Sequence, residues 1–336
     1  MPTHVRPYAA DHAVTLGPDD TRPTAMKIVR DLGFNTDKSS SNRVYIVTGA
    51  TSVIGRETAR ALAATGATIV LCARDVSAAE AISATFNGNS QTKAVHLDLS
   101  NLASVRSAAD EILARYSRVD GVVCNAGVMM EPEATTMDGH ELHFQVNYLG
   151  HWLLLHLLRR ALLNAASITN DARVVLVSSA GHRYSPVLFD THFAVSPYNA
   201  QIAYGQSKTA LVHLAAEMEA RFGGDAGCLH AYAVHPGGVT NGMMDRLDPQ
   251  VVAAMIAAYG SRMKSPAQGA ATSVWALLAP DAERLGGRYL EDCGTSEPVA
   301  AGFDDLTPGY ALWAEDGAAA KTLWADTVEL LGVADV

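Results

Sequence analysis

The chain has 336 residues, 49% of them hydrophobic, and a formal net charge of −10 from 25 Lys and Arg against 35 Asp and Glu. That length carries one large or two ordinary domains with a sizeable core, and the acidic balance argues against nucleic acid or an anionic membrane surface as the main partner. The four cysteines (Cys72, Cys124, Cys228, Cys293) form no CxxC pair and the twelve histidines no HExxH spacing, so neither a metal site nor a disulfide framework is expected. With no apolar signal segment at the N-terminus and no apolar run of about 18 residues, the chain is expected to be soluble and cytoplasmic.

Residues 1–22 carry three prolines and read as an extended arm. Thr24 is placed to cap a short helix up to Leu32, on which Met26, Val29 and Leu32 share a face. Residues 35–42 are polar and Ser-rich and end an N-terminal arm assigned to residues 1–42. An alternation of strand and helix patterns follows. Strands are expected at Val44–Val47, Thr68–Cys72, Lys93–Leu97, Gly121–Cys124, Arg173–Val177, Leu229–Val234 and Gly287–Glu291, each a short apolar run of the kind buried on both faces. Between them lie helical stretches at Arg56–Ala64, Ser77–Phe86, Leu102–Tyr116, Gly139–Leu163, Ala203–Phe222 and Pro266–Leu278. Seven strands alternating with helices predict an α/β fold: a Rossmann-type, doubly wound parallel sheet in a single domain over residues 43–292. Residues 293–336 form a C-terminal extension with a helix expected at Gly317–Leu331.

Thr48-Gly49-Ala50-Thr51-Ser52-Val53-Ile54-Gly55 follows the first strand and opens the first helix of this alternation. That is the context a glycine-rich dinucleotide loop needs: small residues admit a pyrophosphate, and the helix N-terminus supplies amide donors. Far along the chain, Tyr204 and Lys208 are four residues apart on a predicted helix and therefore share a face. An ammonium beside a phenol favours the phenolate and moves its pKa toward neutrality. The pair alone is a chance-prone spacing.

The glycine-rich loop, Asn125-Ala126-Gly127 after the fourth strand, Ser179, Tyr204 with Lys208, and Pro236-Gly237 stand in the order and spacing of the short-chain dehydrogenase/reductase family. Over about residues 20–330 the chain resembles that family, and in particular its retinol-dehydrogenase and WW-domain-oxidoreductase-like branch. Thr24–Ile28, Arg56–Leu62, Cys72–Asp75, Val146–His151, Gln268–Thr272 and Leu285–Tyr289 carry the closer likeness. One position departs from the family pattern: Val53 replaces the middle glycine of the loop. A β-branched residue cannot take positive φ cheaply. Either Val53 keeps negative φ and the loop keeps its shape with weaker cofactor binding, or binding fails enough to question catalysis; the first outcome is preferred.

The resemblance implies a nicotinamide cofactor against Gly49, Thr51, Ser52, Val53, Ile54 and Gly55. Arg74 follows the second strand, where an arginine favours the 2′-phosphate of NADP(H) over NAD(H); Arg56 adds charge nearby, and Asp75 is placed to pair with Arg74. Asp98 resembles the residue that contacts adenine, with helix capping as the competing role, and Leu99 adjoins it. Asn125, Ala126 and Gly127, with Tyr204 and Lys208, border the cofactor channel. Pro236, Gly237, Val239 and Asn241 resemble the loop that holds the carboxamide, with Asn241 where Thr or Ser is usual and Thr240 adjacent.

Ser179, ending the fifth strand and standing 204 − 179 = 25 residues before Tyr204, is implied to orient a substrate carbonyl, with Ser178 as the competing serine. Tyr204 is implied as acid/base, Lys208 as the group that lowers its pKa and binds the nicotinamide ribose, and Asn147 as anchor of a water linking the lysine to solvent. Met129, His182, Tyr198 and Met243 are candidate substrate contacts; methionines adapt to irregular apolar ligands, although each serves equally well as core. The implied activity is an NADP(H)-dependent interconversion of a carbonyl and an alcohol on a bulky, lipophilic substrate. A redox-neutral epimerase and a catalytically weak dinucleotide-binding regulator are the alternatives, the last motivated by Val53. The expected assembly is a monomer or a homodimer, with no metal.

Overall fold

Apolar runs in the sequence become strands of one sheet in a computed structural model of the chain. It describes residues 4–34, 42–86, 91–166, 172–223, 228–240, 248–300, 304 and 306–335, with the side chains of Val251 and Met255 left aside. The strands are β1 (Val44–Thr48), β2 (Thr68–Ala73), β3 (Thr92–His96), β4 (Gly121–Cys124), β5 (Ala172–Val177), β6 (Leu229–His235), β7 (Tyr289–Glu291) and β8 (Gly294–Thr295). Their order is β3-β2-β1-β4-β5-β6-β7-β8. Every pair is parallel except β7 with β8.

Among the described residues the sheet thus has eight strands where about seven were expected. The extra one is two residues long, too short to leave a pattern in the sequence. It returns through a turn in which Asp292 and Cys293 both take left-handed φ, 52° and 54°.

The helices are α1 (Ala9–His12), α2 (Ala25–Asp31), α3 (Val53–Ala63), α4 (Val76–Ser83), α5 (Leu102–Leu113), α6 (Gly150–Ala165), α7 (Ala200–Phe222), α8 (Pro249–Tyr259), α9 (Pro266–Gly269), α10 (Ala271–Leu278) and α11 (Gly317–Leu331). Alternate side chains of each buried strand feed two cores. One joins the sheet to α5, α6 and α7 through residues such as Val105, Leu158 and Leu214. The other joins it to α2, α3 and α10 through Ile28, Leu62 and Trp275. Chain order reverses between β1 and β4, so the crevice at the carboxyl ends of these strands is where a doubly wound sheet receives ligands.

Three local features bear on that crevice. The helix expected from Gly139 starts later: Gly139 turns at φ 88°, Phe144–Leu149 forms a π-helical turn, and α6 follows. Helix α7 is buried on nearly every side from Ala203 to Ala215 because α11 covers the face turned away from the sheet. Leu323 and Trp324 of α11 are buried there, and the Thr327 hydroxyl meets that of Tyr148 at 2.8 Å. Finally, the N-terminal arm is not extended but folds back onto the chain. Buried Arg22 pairs with Asp20 at 2.8 Å and donates to the carbonyls of Gly17, Arg262 and Met263.

Candidate active site

The loop between β1 and α3 closes tightly on the Asn-Ala-Gly turn. Gly49 takes left-handed φ, 62°, and a Cβ there would lie 2.8 Å from Ala126 Cα. At Gly55 a Cβ would come within 2.3 Å of the Gly49 carbonyl oxygen. Asn125 ties the two turns together: its Nδ2 donates to the carbonyls of Thr48 (2.9 Å) and Gly49 (3.2 Å) and to Ser52 Oγ (3.2 Å). Ser52 caps α3 by accepting the Gly55 N–H, and its carbonyl accepts that of Arg56. The Val53 and Ile54 amides of the first turn then point outward, as the opening amides of a helix do. A tight turn built on Gly49 and Gly55 at a helix N-terminus fits a dinucleotide pyrophosphate. Val53 is the first residue of α3 and lies outside the left-handed region. The condition attached to the first of the two outcomes, a Val53 outside the left-handed region, is therefore met.

Around this cradle the other expected cofactor residues divide. Arg74 is exposed beyond β2, while Asp75 caps α4 by accepting from Ala78 N at 2.9 Å instead of holding the arginine. Arg56 lies 4.0 Å from Glu57. Asp98 closes a turn, accepting from the Ser100 N–H (2.9 Å) and hydroxyl (2.6 Å), and the cap of α5 is Asn101. Leu99 is buried against Gly150. Beyond β6, Gly237 takes φ 88°, and a Cβ there would lie 2.8 Å from Lys264 Cδ. Lys264 runs beneath this loop, its Nζ 2.7 Å from Asp292. Val239 is buried against Gly269, and Thr240 N donates to the Lys264 carbonyl. Asn241, Met243 and Met244 lie outside the described residues.

Four expected residues converge at the carboxyl edge of β5. Asn199 caps α7, accepting from Gln201 N and Ile202 N, and so sets the phase of the first turns that carry Tyr204 and Lys208. Lys208 Nζ stands 5.6 Å from the centre of the Tyr204 ring and donates to the Val177 carbonyl at 2.8 Å. Ser178 faces the other way, its hydroxyl donating to the Lys208 carbonyl at 2.8 Å. It is Ser179 that lies on the Tyr204 side: a Cβ built on Gly181 would stand 3.3 Å from Ser179 Oγ and beside the Tyr204 ring, and Ser179 Oγ accepts the Gly181 N–H at 3.0 Å. Gly181 admits the ring, since a Cβ there would lie 2.6 Å from Tyr204 Cε1.

Asn147 sits in the π turn, a feature often found at functional sites. Its Oδ1 accepts the Val128 N–H (2.8 Å), and its Nδ2 donates to the Val128 carbonyl (3.0 Å) and Ser207 Oγ (2.9 Å). Gly127 borders the space between Asn147 and Lys208: a Cβ on it would lie 2.9 Å from Oδ1 and 3.5 Å from Nζ.

The electrostatics differ from the expectation for the tyrosine–lysine pair. Burial pushes the Tyr204 phenol up to about 12, with the nearby Ser179 hydroxyl acting in the opposite direction. Burial also lowers the Lys208 ammonium to about 8. Desolvation outweighs attraction because the ammonium is spent on the Val177 carbonyl and lies beside the ring rather than on the hydroxyl.

The substrate candidates need one correction. His182 is fully buried, with Nδ1 donating to the Ser179 carbonyl (2.6 Å) and Nε2 accepting from Ala311 N (3.0 Å). Both nitrogens are taken, so it anchors the C-terminal segment to the serine loop and presents no edge to a substrate. The Tyr198 hydroxyl donates to the Glu131 carbonyl (3.1 Å) and lies 3.3 Å from Glu141. Met129 and Met130, just past the Asn-Ala-Gly turn, are 36% and 42% exposed.

Sequence reasoning missed two histidines, His143 and His151, four residues either side of Asn147. His143 is buried with its ring edge-on to Tyr204 at 6.3 Å between centres. Its Nε2 accepts the Glu131 N–H, leaving Nδ1 to donate to Glu141 at 2.8 Å. The four-residue spacing around Asn147 was the available signal. Among the described residues no group of His, Cys, Asp and Glu could hold a metal, and no helix is long and apolar enough to cross a membrane.

Comparison with known proteins bears on this geometry. Residues 43–251 match the family model for short chain dehydrogenases. A short-chain dehydrogenase/reductase of Penicillium roqueforti, prx1, is 37% identical over 95% of this chain and 93% of its own length. Retinol dehydrogenase 12 of Mus musculus is 34% identical over 93% of this chain and 94% of its own. Among solved structures, the NADP active-site complex of RhlG from Pseudomonas aeruginosa superposes with a TM-score of 0.61 at 25% identity, covering 76% of this chain and 96% of that one. A protein of Mycobacterium paratuberculosis reaches 0.65 at 30% identity, over 87% and 94%.

Proposed function

This chain belongs to the short-chain dehydrogenase/reductase family, in its retinol-dehydrogenase-like branch, and from that premise we propose that it is an NADP(H)-dependent oxidoreductase interconverting a carbonyl and a primary or secondary alcohol on a bulky, lipophilic substrate. The observation that carries the reading is the meeting of Ser179, Tyr204, Lys208 and Asn147 beside the glycine cradle.

When bound, the nicotinamide supplies or accepts the hydride. The chain's residues hold the rest. Ser179 donates its hydroxyl hydrogen to the substrate oxygen and orients it. Tyr204, which keeps its proton at neutral pH, releases it to that oxygen as negative charge develops, and takes it back in the oxidative direction. Lys208 places a cation beside the phenol. Asn147 fixes Val128 and Ser207, and with them the floor of the site. The exposed Arg74 supports a 2′-phosphate, and the exposed Met129 and Met130 support an apolar substrate.

The test begins with binding, as NADPH and NADH are titrated into the purified protein and followed by fluorescence. Turnover of a panel of ketones, aldehydes and alcohols follows, with Tyr204→Phe losing about 10²-fold or more in kcat. Failure to bind either cofactor sinks the proposal.

A further inference from the structure

His151 stands on the first turn of α6 and is fully buried. Its Nδ1 lies 2.9 Å from the Asn147 carbonyl oxygen, and its Nε2 lies 2.9 Å from Thr48 Oγ1. A carbonyl only accepts, so Nδ1 carries the proton and Nε2 accepts from the Thr48 hydroxyl. The Thr48 oxygen in turn accepts the Ala126 N–H at 3.0 Å. One neutral imidazole therefore spans three segments: the end of β1, the Asn-Ala-Gly turn and the π turn.

Those segments carry the two halves of the site. Thr48 opens the glycine cradle, and the Ala126 turn packs on Gly49. On the other side, Asn147 bonds to Val128 and Ser207, and Ser207 donates to the Tyr204 carbonyl. Asn147 lies within the π turn, and its carbonyl accepts the His151 ring N–H. Burial also holds the imidazole neutral, with its pKa lowered to about 4, and the charge of Lys208 acts in the same direction.

We propose that His151 is a positioning residue for proton and hydride transfer, acting through Asn147 and Thr48 to hold the acid/base residues and the cofactor cradle at one fixed separation. The proposal rests on the oxidoreductase reading above. A displacement of about 1 Å between reacting groups costs on the order of 10²-fold in rate, so a small shift of the π turn is enough to register.

Two substitutions separate positioning from packing. His151→Leu removes both bonds, while His151→Gln keeps a donor and an acceptor on one side chain. With saturating NADPH and a carbonyl substrate, His151→Leu is expected to lower kcat between about ten- and a hundredfold while leaving NADPH affinity little changed. His151→Gln should recover most of that loss. In the protein without cofactor, amide exchange at Ala126 and Val128 should speed up in His151→Leu and slow again in His151→Gln. Should His151→Leu fail to fold, Thr48→Val deletes the hydroxyl that Nε2 accepts from, and the deciding readout is then exchange at Val128, which bonds to Asn147 and not to Thr48 and should speed up as kcat falls. Loss of thermal stability alone, with kcat and both exchange rates unchanged, overturns the proposal. A wild-type protein that turns over no carbonyl refutes the oxidoreductase reading instead, and the exchange rates still decide whether His151 holds the two turns.

Discussion

Lys208→Met should make the protein more stable while removing its activity. The ammonium is buried, and desolvation lowers its pKa from 10.5 to about 8. At about 1.4 kcal/mol per pH unit, holding that charge in the folded state costs about 3 kcal/mol. The cost is fully present below the folded value near pH 8 and fades as pH rises toward the unfolded value, where both states are neutral. Methionine fills the same stem but loses the hydrogen bond to the Val177 carbonyl, which costs about 1 kcal/mol. The net expectation at neutral pH is a gain of about 2 kcal/mol. Tyr204 does not disturb the comparison: its pKa is raised, so the phenol is neutral in both states below about pH 10. Urea unfolding of both proteins at about pH 7 and pH 10 measures the difference. A variant no more stable than wild type at pH 7, or an advantage that persists undiminished at pH 10, would refute the reasoning.

Gly127→Ala places a methyl 2.9 Å from Asn147 Oδ1. It should lower kcat by about tenfold or more with a modest stability loss of about 1–2 kcal/mol; wild-type turnover would show that the gap beside Lys208 is not used. Val53→Gly should bind NADPH more tightly, as it removes the β-branched side chain from the mouth of the cradle, and an unchanged dissociation constant in the fluorescence titration counts against that. Arg74→Ala should lose on the order of tenfold in NADPH affinity with NADH affinity unaffected; equal losses for the two cofactors would show that the arginine does not read the phosphate.

The sheet was legible because parallel strands buried on both faces leave continuous apolar runs such as Ile69–Cys72 and Val174–Val177. The expected crevice residues could be placed because such a sheet presents the ends of its strands in one row. What the pattern could not carry was short or ambiguous. A two-residue β8 has no periodicity, and the Phe144–Leu149 segment reads as helical whether it bonds to the fourth or the fifth residue. Ser178 and Ser179 are adjacent, and only the backbone direction after β5 turns one toward Lys208 and the other toward Tyr204. His182 looked like a substrate contact from its place beyond Ser179, yet its partner, Ala311, lies far along the chain. The Tyr204 pKa failed for a different reason. Sequence spacing reveals a neighbouring cation but not the burial that outweighs it.

That burial has a kinetic consequence of its own. In the proposed reduction the phenol must hold a proton until charge appears on the substrate oxygen, and a group lifted to about 12 does so throughout the neutral range. Lys208 is the member of the pair that titrates near working pH. Because its pKa is lowered to about 8, the ammonium is present below that value and is lost as pH rises through it. Carbonyl reduction should therefore be level at neutral pH and decline above about pH 8, following one ionisation in kcat/KM. Lys208→Arg, which stays protonated, should remove the decline whatever its effect on the absolute rate. A wild-type profile that stays flat to pH 10, or the same limb surviving in Lys208→Arg, would assign the ionisation elsewhere and leave the lysine's buried charge without a role in the proton transfer.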